Sequence, residues 1–109
     1  MATTASMLDA EKTGLPDCPQ RAVELSEILR AVAHPLRLRL IAMLCEGEAH
    51  VGAMAERLEA APAIVSQQLG ILRGHRLVSV ERRAGHAVYR LREERLRELV
   101  HCMDGCRTH

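Results

Sequence analysis

Apolar side chains recur at helical spacing along the first half of the chain. In DCPQRAVELSEILRAVA, Pro19 suits the first turn of a helix, with Asp17 or Cys18 as its cap. In HPLRLRLIAMLCEG, we predict a new helix that His34 caps and Gly47 ends. The apolar stripes are Val23, Leu25, Ile28, Leu29 and Val32 in the first helix, and Leu36, Leu40, Ile41 and Leu44 in the second.

Two shorter amphipathic helices follow, HVGAMAERLEA and APAIVSQQLGILRG, joined by the tight turn EAAP. Pro62 suits the first turn of the latter helix, and Gly74 its end. The inward positions are Val51, Met54, Ala55 and Leu58 in the former, and Ile64 or Val65, Leu69 and Leu72 in the latter. The outward positions of the latter helix are Ser66, Gln67, Gln68 and Arg73.

The spacing of apolar residues changes in LVSVERRAGHAVYRL, where valines and leucines flank the glycine-containing turn RRAGH. This tract predicts a β-hairpin with a basic tip. Helical spacing returns in REERLRELVHCMDG, with Leu96, Leu99, Val100 and Met103 apolar. The order is four helices, a hairpin and a last helix, without internal repeats. We therefore predict a mainly α fold with a small β-hairpin, arranged as a winged helix-turn-helix.

The length of 109 residues fits one domain. Residues 1–16 have no sustained period and are interpreted as a flexible N-terminal arm, and residues 17–109 as the single folded domain. Apolar residues make up 48% of the chain, but Tyr89 is its one aromatic side chain. A small aliphatic core suits helices packed on helices. Such a core is weak, and a homodimer would add buried area.

The net charge of +1 hides a segregation along the chain. Residues 1–29 carry two basic and five acidic side chains, whereas residues 30–92 carry ten basic and five acidic ones. Residues 93–109 carry three basic and four acidic side chains. A basic middle between acidic ends is a modest indication that this part of the chain binds a polyanion.

Several classes of protein are disfavoured by the sequence. No run of residues approaches a membrane span, and the N-terminus lacks a signal pattern, so we expect a cytoplasmic protein. In that compartment four cysteines suit reduced thiols, metal ligands or redox switches better than a disulfide framework. Motifs of phosphate-binding loops or nucleophile elbows are absent from the sequence, so we do not expect an enzyme.

The pair of short helices followed by a basic hairpin has the features that a protein needs to recognise a DNA sequence. A helix that enters the major groove needs short polar side chains that bond to base edges, and cations must meet the flanking phosphates. Glutamine pairs with adenine, and serine can bond to phosphate or base. The candidate DNA-binding residues are Ser66, Gln67 and Gln68 on the reading helix, Arg73 and Arg76 at its end, and Arg82, Arg83 and His86 on the wing.

The tract from residue 29 to residue 91 resembles the ArsR/SmtB family of bacterial repressors. The resemblance lies in AHPLRLRLI on the second helix, VSQQL on the reading helix and GHAVYRL on the returning wing strand. It implies a homodimer whose first and last helices form the interface. Such a dimer binds a palindromic operator in double-stranded DNA and releases it when an effector binds. One departure is EAAPAIVSQQL, where family members commonly carry hydroxyl side chains before the reading helix.

Two metal boxes of the family do not match this chain. In the zinc-sensing branch the resemblance implies an Asp-x-His pair near the start of the last helix, which aligns here with Glu93 and Arg95. An arginine cannot ligate a metal. The cysteine box of the arsenical and cadmium branch aligns with AHVGAM, where His50 is more simply interpreted as a helix cap or a solvated side chain.

The cysteines near the C-terminus remain as candidate effector ligands. Cys102 and Cys106 lie one helical turn apart, and Cys102 and His109 lie about 20° short of two turns apart, if the helix persists. Two thiolates on one stripe suit thiophilic ions such as As(III), Cd(II), Zn(II) or Hg(II). Cys18 or Cys45, in the same or the partner subunit, could supply a third sulfur.

Two alternatives to metal sensing stay open. The sequence also resembles the persulfide- and oxidant-sensing branch of the family, which pairs a cysteine on the second helix with one near the C-terminus. Cys45 with Cys102 or Cys106 has that layout, although Cys45 stands about one turn after the position of that branch's cysteine, where Ala42 occurs here. The other alternative is a DNA-binding regulator without an effector.

Overall fold

The structure, a computed structural model, describes residues 14–105. The chain divides into two compact units, Met1–Arg30 and Ala31–His109. Of the predicted arm, residues 1–13 lie outside the described residues. Leu15–Asp17 form a turn of 3-10 helix. Helix α1 covers Pro19–Val32 and starts after Cys18, whose carbonyl accepts from the Ala22 N–H at 3.1 Å.

Helix α2, Pro35–Glu46, begins and ends where its local chemistry predicts. The His34 Nδ1 accepts from the backbone N–H of Leu36 at 3.2 Å and of Arg37 at 3.4 Å. The cap satisfies N–H groups that have no partner within the helix. Helix α2 contributes the centre of the core through Leu40, Ile41, Met43 and Leu44.

Helices α3, Val51–Leu58, and α4, Pro62–Gly74, form the helix-turn-helix. The turn begins at Glu59, whose left-handed φ of 53° ends α3. On α4 the choice left open by the sequence resolves to Val65, which is fully buried, whereas Ile64 is exposed. Helix α4 is fixed to the core by Val65, Leu69 and Leu72.

The wing is a hairpin of strands β2, Val78–Arg83, and β3, His86–Leu91. Its two-residue turn has positive φ at both positions, 50° at Ala84 and 82° at Gly85, as a type I′ turn requires. A short strand β1, Ala49–His50, pairs antiparallel with β3, so the sheet has the order β1-β3-β2. The sequence predicted the hairpin but not this third strand.

Helix α5, Glu94–Gly105, closes the second unit. It is anchored by the fully buried Leu96, and the Leu77 carbonyl accepts from the N–H groups of Arg92 and Glu93 just before it. The predicted mainly α fold with a winged helix-turn-helix is confirmed by five helices and one small sheet within residues 14–105. None of the helices in this part of the chain is both long and apolar enough to cross a membrane.

Candidate nucleic-acid interface and thiol groups

The outward face of α4 presents two of the three predicted reading residues to solvent. Ser66 and Gln67 are exposed, because the opposite face of the helix is buried in the core. Gln68 differs from them, since it is half-buried and its Oε1 accepts a hydrogen bond from Arg37 Nη1 at 2.9 Å. The free side chains at the front of α4 are therefore a hydroxyl and one amide.

Arg37 was not among the predicted site residues, and within the second unit it bonds to Ala31 and to α4. Its Nε donates to the carbonyl of Ala31, near the end of α1, at 2.6 Å, while its Nη1 reaches Gln68 on α4. A charged donor strengthens both bonds relative to neutral pairs. Arg37 therefore fixes the position of the reading helix relative to the start of α2.

Three of the predicted phosphate-contacting arginines carry uncompensated charge. Within residues 14–105, no acidic side chain forms an ion pair with Arg73, Arg76 or Arg82. Arg82 donates to the carbonyl of Gly85 at 3.3 Å, which holds its side chain over the wing turn. Arg76 has a φ of 62°, in the left-handed region that favours glycine. The backbone conformation therefore gives no reason for an arginine at this position.

Arg83 is the exception among the wing arginines. It forms two hydrogen bonds with the Glu48 carboxylate, at 2.6 and 2.8 Å, and a third with Glu81 at 2.5 Å. The bonds to Glu48 and Glu81 raise the pKa of the Arg83 guanidinium, and the same pairing lowers the pKa of Glu48. Arg83 thus ties the wing to the loop before β1, with its charge already balanced.

Two histidines stack beside the tip of the wing, where His86 directly follows the turn. The rings of His50 and His86 lie with centroids 5.0 Å apart and planes inclined by 24°. The His50 Nδ1 also accepts from the Ala53 N–H at 3.2 Å, so His50 caps α3. Of the two roles that the sequence suggested for His50, helix cap or solvated side chain, the structure shows the cap. Gly52 permits this, since a Cβ there would come within 3.2 Å of the His50 ring.

Cys45 lies in an open groove between α2 and α5, with a volume of about 1010 Å³. Leu38, Ala42, Val100 and Met103 provide apolar walls, while Arg97 and His101 add polar groups. Burial raises the pKa of the Cys45 thiol, opposed by the nearby guanidinium of Arg97 and reinforced by carboxylates of α2 and α5. Arg97 also donates to the Cys45 carbonyl and so joins the end of α2 to α5.

The other predicted sensor residues do not form one described cluster. Cys102 is exposed on α5, and Cys18 is half-buried in the first unit. Cys106 and His109 lie outside the described residues. Between residues 14 and 105, no three histidine, cysteine or acidic side chains lie together as a metal site. Arg95, at the position of the family's zinc ligand, bonds to Glu93 at 2.8 Å.

The described geometry adds Arg37 and Glu48 to the residues that shape the interface. Each bonds to a predicted DNA-binding residue, Arg37 to Gln68 on the reading helix and Glu48 to Arg83 on the wing. The partners are separated by 31 and 35 positions, so spacing along the chain carries no signal of either contact.

Comparison with known proteins places this geometry in one family. Residues 34–80 match the model of "Bacterial regulatory protein, arsR family". The chain is 36% identical to the biofilm growth-associated repressor of Agrobacterium fabrum, across 88% of this chain and 82% of that protein. It is 32% identical to the HTH-type transcriptional repressor SmtB of Mycobacterium tuberculosis, across 84% of this chain and 69% of that protein.

Solved structures agree with the sequence matches. The transcriptional repressor BigR from Xylella fastidiosa superposes with a TM-score of 0.77 at 34% identity, covering 83% of this chain and 92% of that one. HlyU from Vibrio cholerae superposes with a TM-score of 0.78 at 25% identity, covering 84% of this chain and 100% of that one. The chain therefore belongs to the arsR family of bacterial regulatory proteins, as a DNA-binding transcriptional repressor of the ArsR, SmtB and BigR type.

Proposed function

We propose that the protein binds an inverted repeat in duplex DNA as a homodimer and releases it when an effector reacts at cysteine thiols. The observation that carries the DNA part is the outward face of α4, where Ser66 and Gln67 are exposed. Three arginines at the end of α4 and on the wing keep their charge unpaired within residues 14–105. Polar groups for base edges and cations for phosphates are what such a complex needs.

Exposed apolar side chains support the homodimer. On α1, Val23 is 57% exposed and Leu29 is 50% exposed, and on α5 Met103 is 56% exposed. A second copy of the chain would cover such positions and enlarge a small core. The Mycobacterium bovis regulator Mb0332, whose fold superposes with a TM-score of 0.71, is described as homodimeric. In a two-fold dimer the two reading helices require half-sites about one helical turn of DNA apart.

The location of Cys45 supports a thiol as the sensing group. A reaction at Cys45 takes place in the groove between α2 and α5, so it can alter how α2 is held against α5. Because α2 carries Arg37, and Arg37 holds Gln68, a shift of α2 is passed to the reading helix. One superposed relative is described as reduced HlyU, which marks the redox state of that protein.

Two effector chemistries fit the thiols. A thiophilic ion such as As(III), Cd(II), Zn(II) or Hg(II) would bind Cys102 and Cys106, with His109 and either Cys45 or Cys18 as further ligands. An organic persulfide, RSSH, would instead oxidise Cys45 and Cys102 or Cys106. One thiol takes the outer sulfur and releases RSH, and the other then displaces H₂S to form a disulfide. The two protein thiols lose two electrons, which the transferred sulfur gains.

Operator binding is tested first, by gel shift on the promoter of the protein's own gene across a range of salt concentrations. We expect one discrete complex whose affinity falls steeply with salt. Binding without sequence preference would contradict the DNA part of the proposal.

The effector is tested by titrating the reduced protein–DNA complex with each metal ion and with an organic persulfide. Operator release is followed together with the mass of the intact chain. A covalent bridge from Cys45 to Cys102 or Cys106 supports the persulfide mechanism, and stoichiometric metal with a thiolate absorption band supports the metal mechanism. Cys102→Ser and Cys106→Ser should retain DNA binding and lose release. Release by neither reagent supports the regulator without an effector.

A further inference from the structure

The outward face of α4 carries apolar side chains as well as polar ones. Ile64 is 46% exposed and Ile71 is 38% exposed, whereas Val65, Leu69 and Leu72 on the opposite face are wholly buried. The core is therefore complete without the two isoleucines. Isolated exposed isoleucines are common on protein surfaces, so the neighbours of each one decide whether it has a role.

Ile64 lies in the first turn of α4, one turn before Gln67. At about 100° per residue the two side chains differ by roughly 60° around the helix axis, so both project from the same side. Gly70, one turn after Gln67, is exposed, and a Cβ built on it would meet no atom within 4 Å. A partner can therefore approach α4 closely beside Ile64 and Gln67.

The charges around α4 identify the partner as a polyanion. Arg73 lies in the last turn of α4, Arg76 follows the helix and Arg82 lies on the wing, all without an acidic partner in the described part of the chain. A protein surface or a second copy that covered α4 would bury these charges at a high cost. Duplex DNA supplies phosphates for the arginines and a major groove for the helix.

We propose that Ile64 contacts the 5-methyl group of a thymine in each half-site, beside an adenine bonded to Gln67. The inference rests on the proposed function and names the base chemistry that the reading helix recognises. The thymine methyl is the apolar group of the major-groove edge, and side chains at the N-terminus of a reading helix contact base edges. Ile71 is exposed two turns further along and serves as the matched control.

The experiment first selects bound duplexes from a pool with randomised half-sites, using the full chain in its reduced form. In the enriched duplex each thymine is then replaced, one at a time, by deoxyuridine, which lacks the methyl group and keeps every hydrogen-bonding group. The dissociation constant is measured for the wild type, Ile64→Ala and Ile71→Ala. Both positions are exposed and alanine favours helix, so both variants should fold, which circular dichroism verifies.

We expect deoxyuridine at one thymine of each half-site to weaken wild-type binding by about fourfold per half-site, the ratio that one buried methyl group gives. Ile64→Ala should lose this sensitivity, and Ile71→Ala should retain it. The inference is overturned if no thymine is sensitive, or if the sensitivity survives Ile64→Ala. A pool without any enriched sequence contradicts the proposed function itself, and so is distinguishable from failure at the methyl group.

Discussion

The Nη1 of Arg37 lies 2.9 Å from the Oε1 of Gln68, so an arginine at the start of α2 holds an amide of the reading helix. The same guanidinium bonds to the Ala31 carbonyl through Nε. Two adjacent glutamines that look equivalent in VSQQL therefore have different surroundings. Gln67 is free to meet a base, whereas Gln68 belongs to the support of the helix.

This difference predicts opposite results for the two glutamines. Gln67→Ala should weaken operator binding by about 1–3 kcal/mol and relax the preference at one base pair, because a bidentate contact to adenine is lost. Gln68→Ala should leave the base preference unchanged and lower the free energy of unfolding by about 1 kcal/mol, because Arg37 loses an acceptor. Binding to all single-base variants of the selected duplex, together with urea unfolding, measures both effects. Equal loss of base preference in the two variants would contradict this assignment.

The wing arginines should differ in their contribution to the salt dependence of DNA binding. Arg82 is without an acidic partner in the described residues, so Arg82→Ala should lower the slope of log K against log salt by about 1 per protomer. Arg83 already pairs with Glu48 and Glu81, so Arg83→Ala should change the slope much less. Fluorescence anisotropy at several salt concentrations provides the slopes. A larger effect of Arg83→Ala would show that the pair with Glu48 opens on DNA.

His50 should act on stability through its cap rather than through its ring contact. His50→Ala removes the acceptor for the Ala53 N–H and should cost about 1 kcal/mol of unfolding free energy. His50→Asn supplies another capping acceptor and should restore most of that loss. His86→Ala removes the stacked ring but no cap, and serves as the matched control. Thermal unfolding at one fixed pH above 7 compares the variants, and equal losses for His50→Ala and His86→Ala would assign the effect to the stack.

What the sequence predicts well here is what adjacent residues determine. His34 caps α2, and Pro62 and Gly74 bound α4, because caps and helix ends depend on residues a few positions away. Strand β1 was not predicted, because two residues are too few to show the alternation of apolar and polar side chains that marks a strand. Its pairing with Val88 and Tyr89 is set by tertiary structure. Side-chain contacts such as Arg37 with Gln68 join distant positions and follow from packing, so they too required the structure.

The setting of Cys45 predicts a slow thiol whose reactivity rises at high pH. Burial raises the thiol pKa and Arg97 opposes that shift, so Arg97→Gln should move the pKa higher still, whereas Arg97→Lys retains the charge. The thiolate is the reacting form, and the folded state holds its proton to a higher pH than the unfolded state does. Stability from this group is thus present below the unfolded pKa and lost as the pH rises through the folded pKa. Iodoacetamide labelling of a variant with Cys18, Cys102 and Cys106 changed to serine measures the midpoint, with the urea-unfolded chain as reference. A folded midpoint at or below that reference would contradict the assigned surroundings of Cys45.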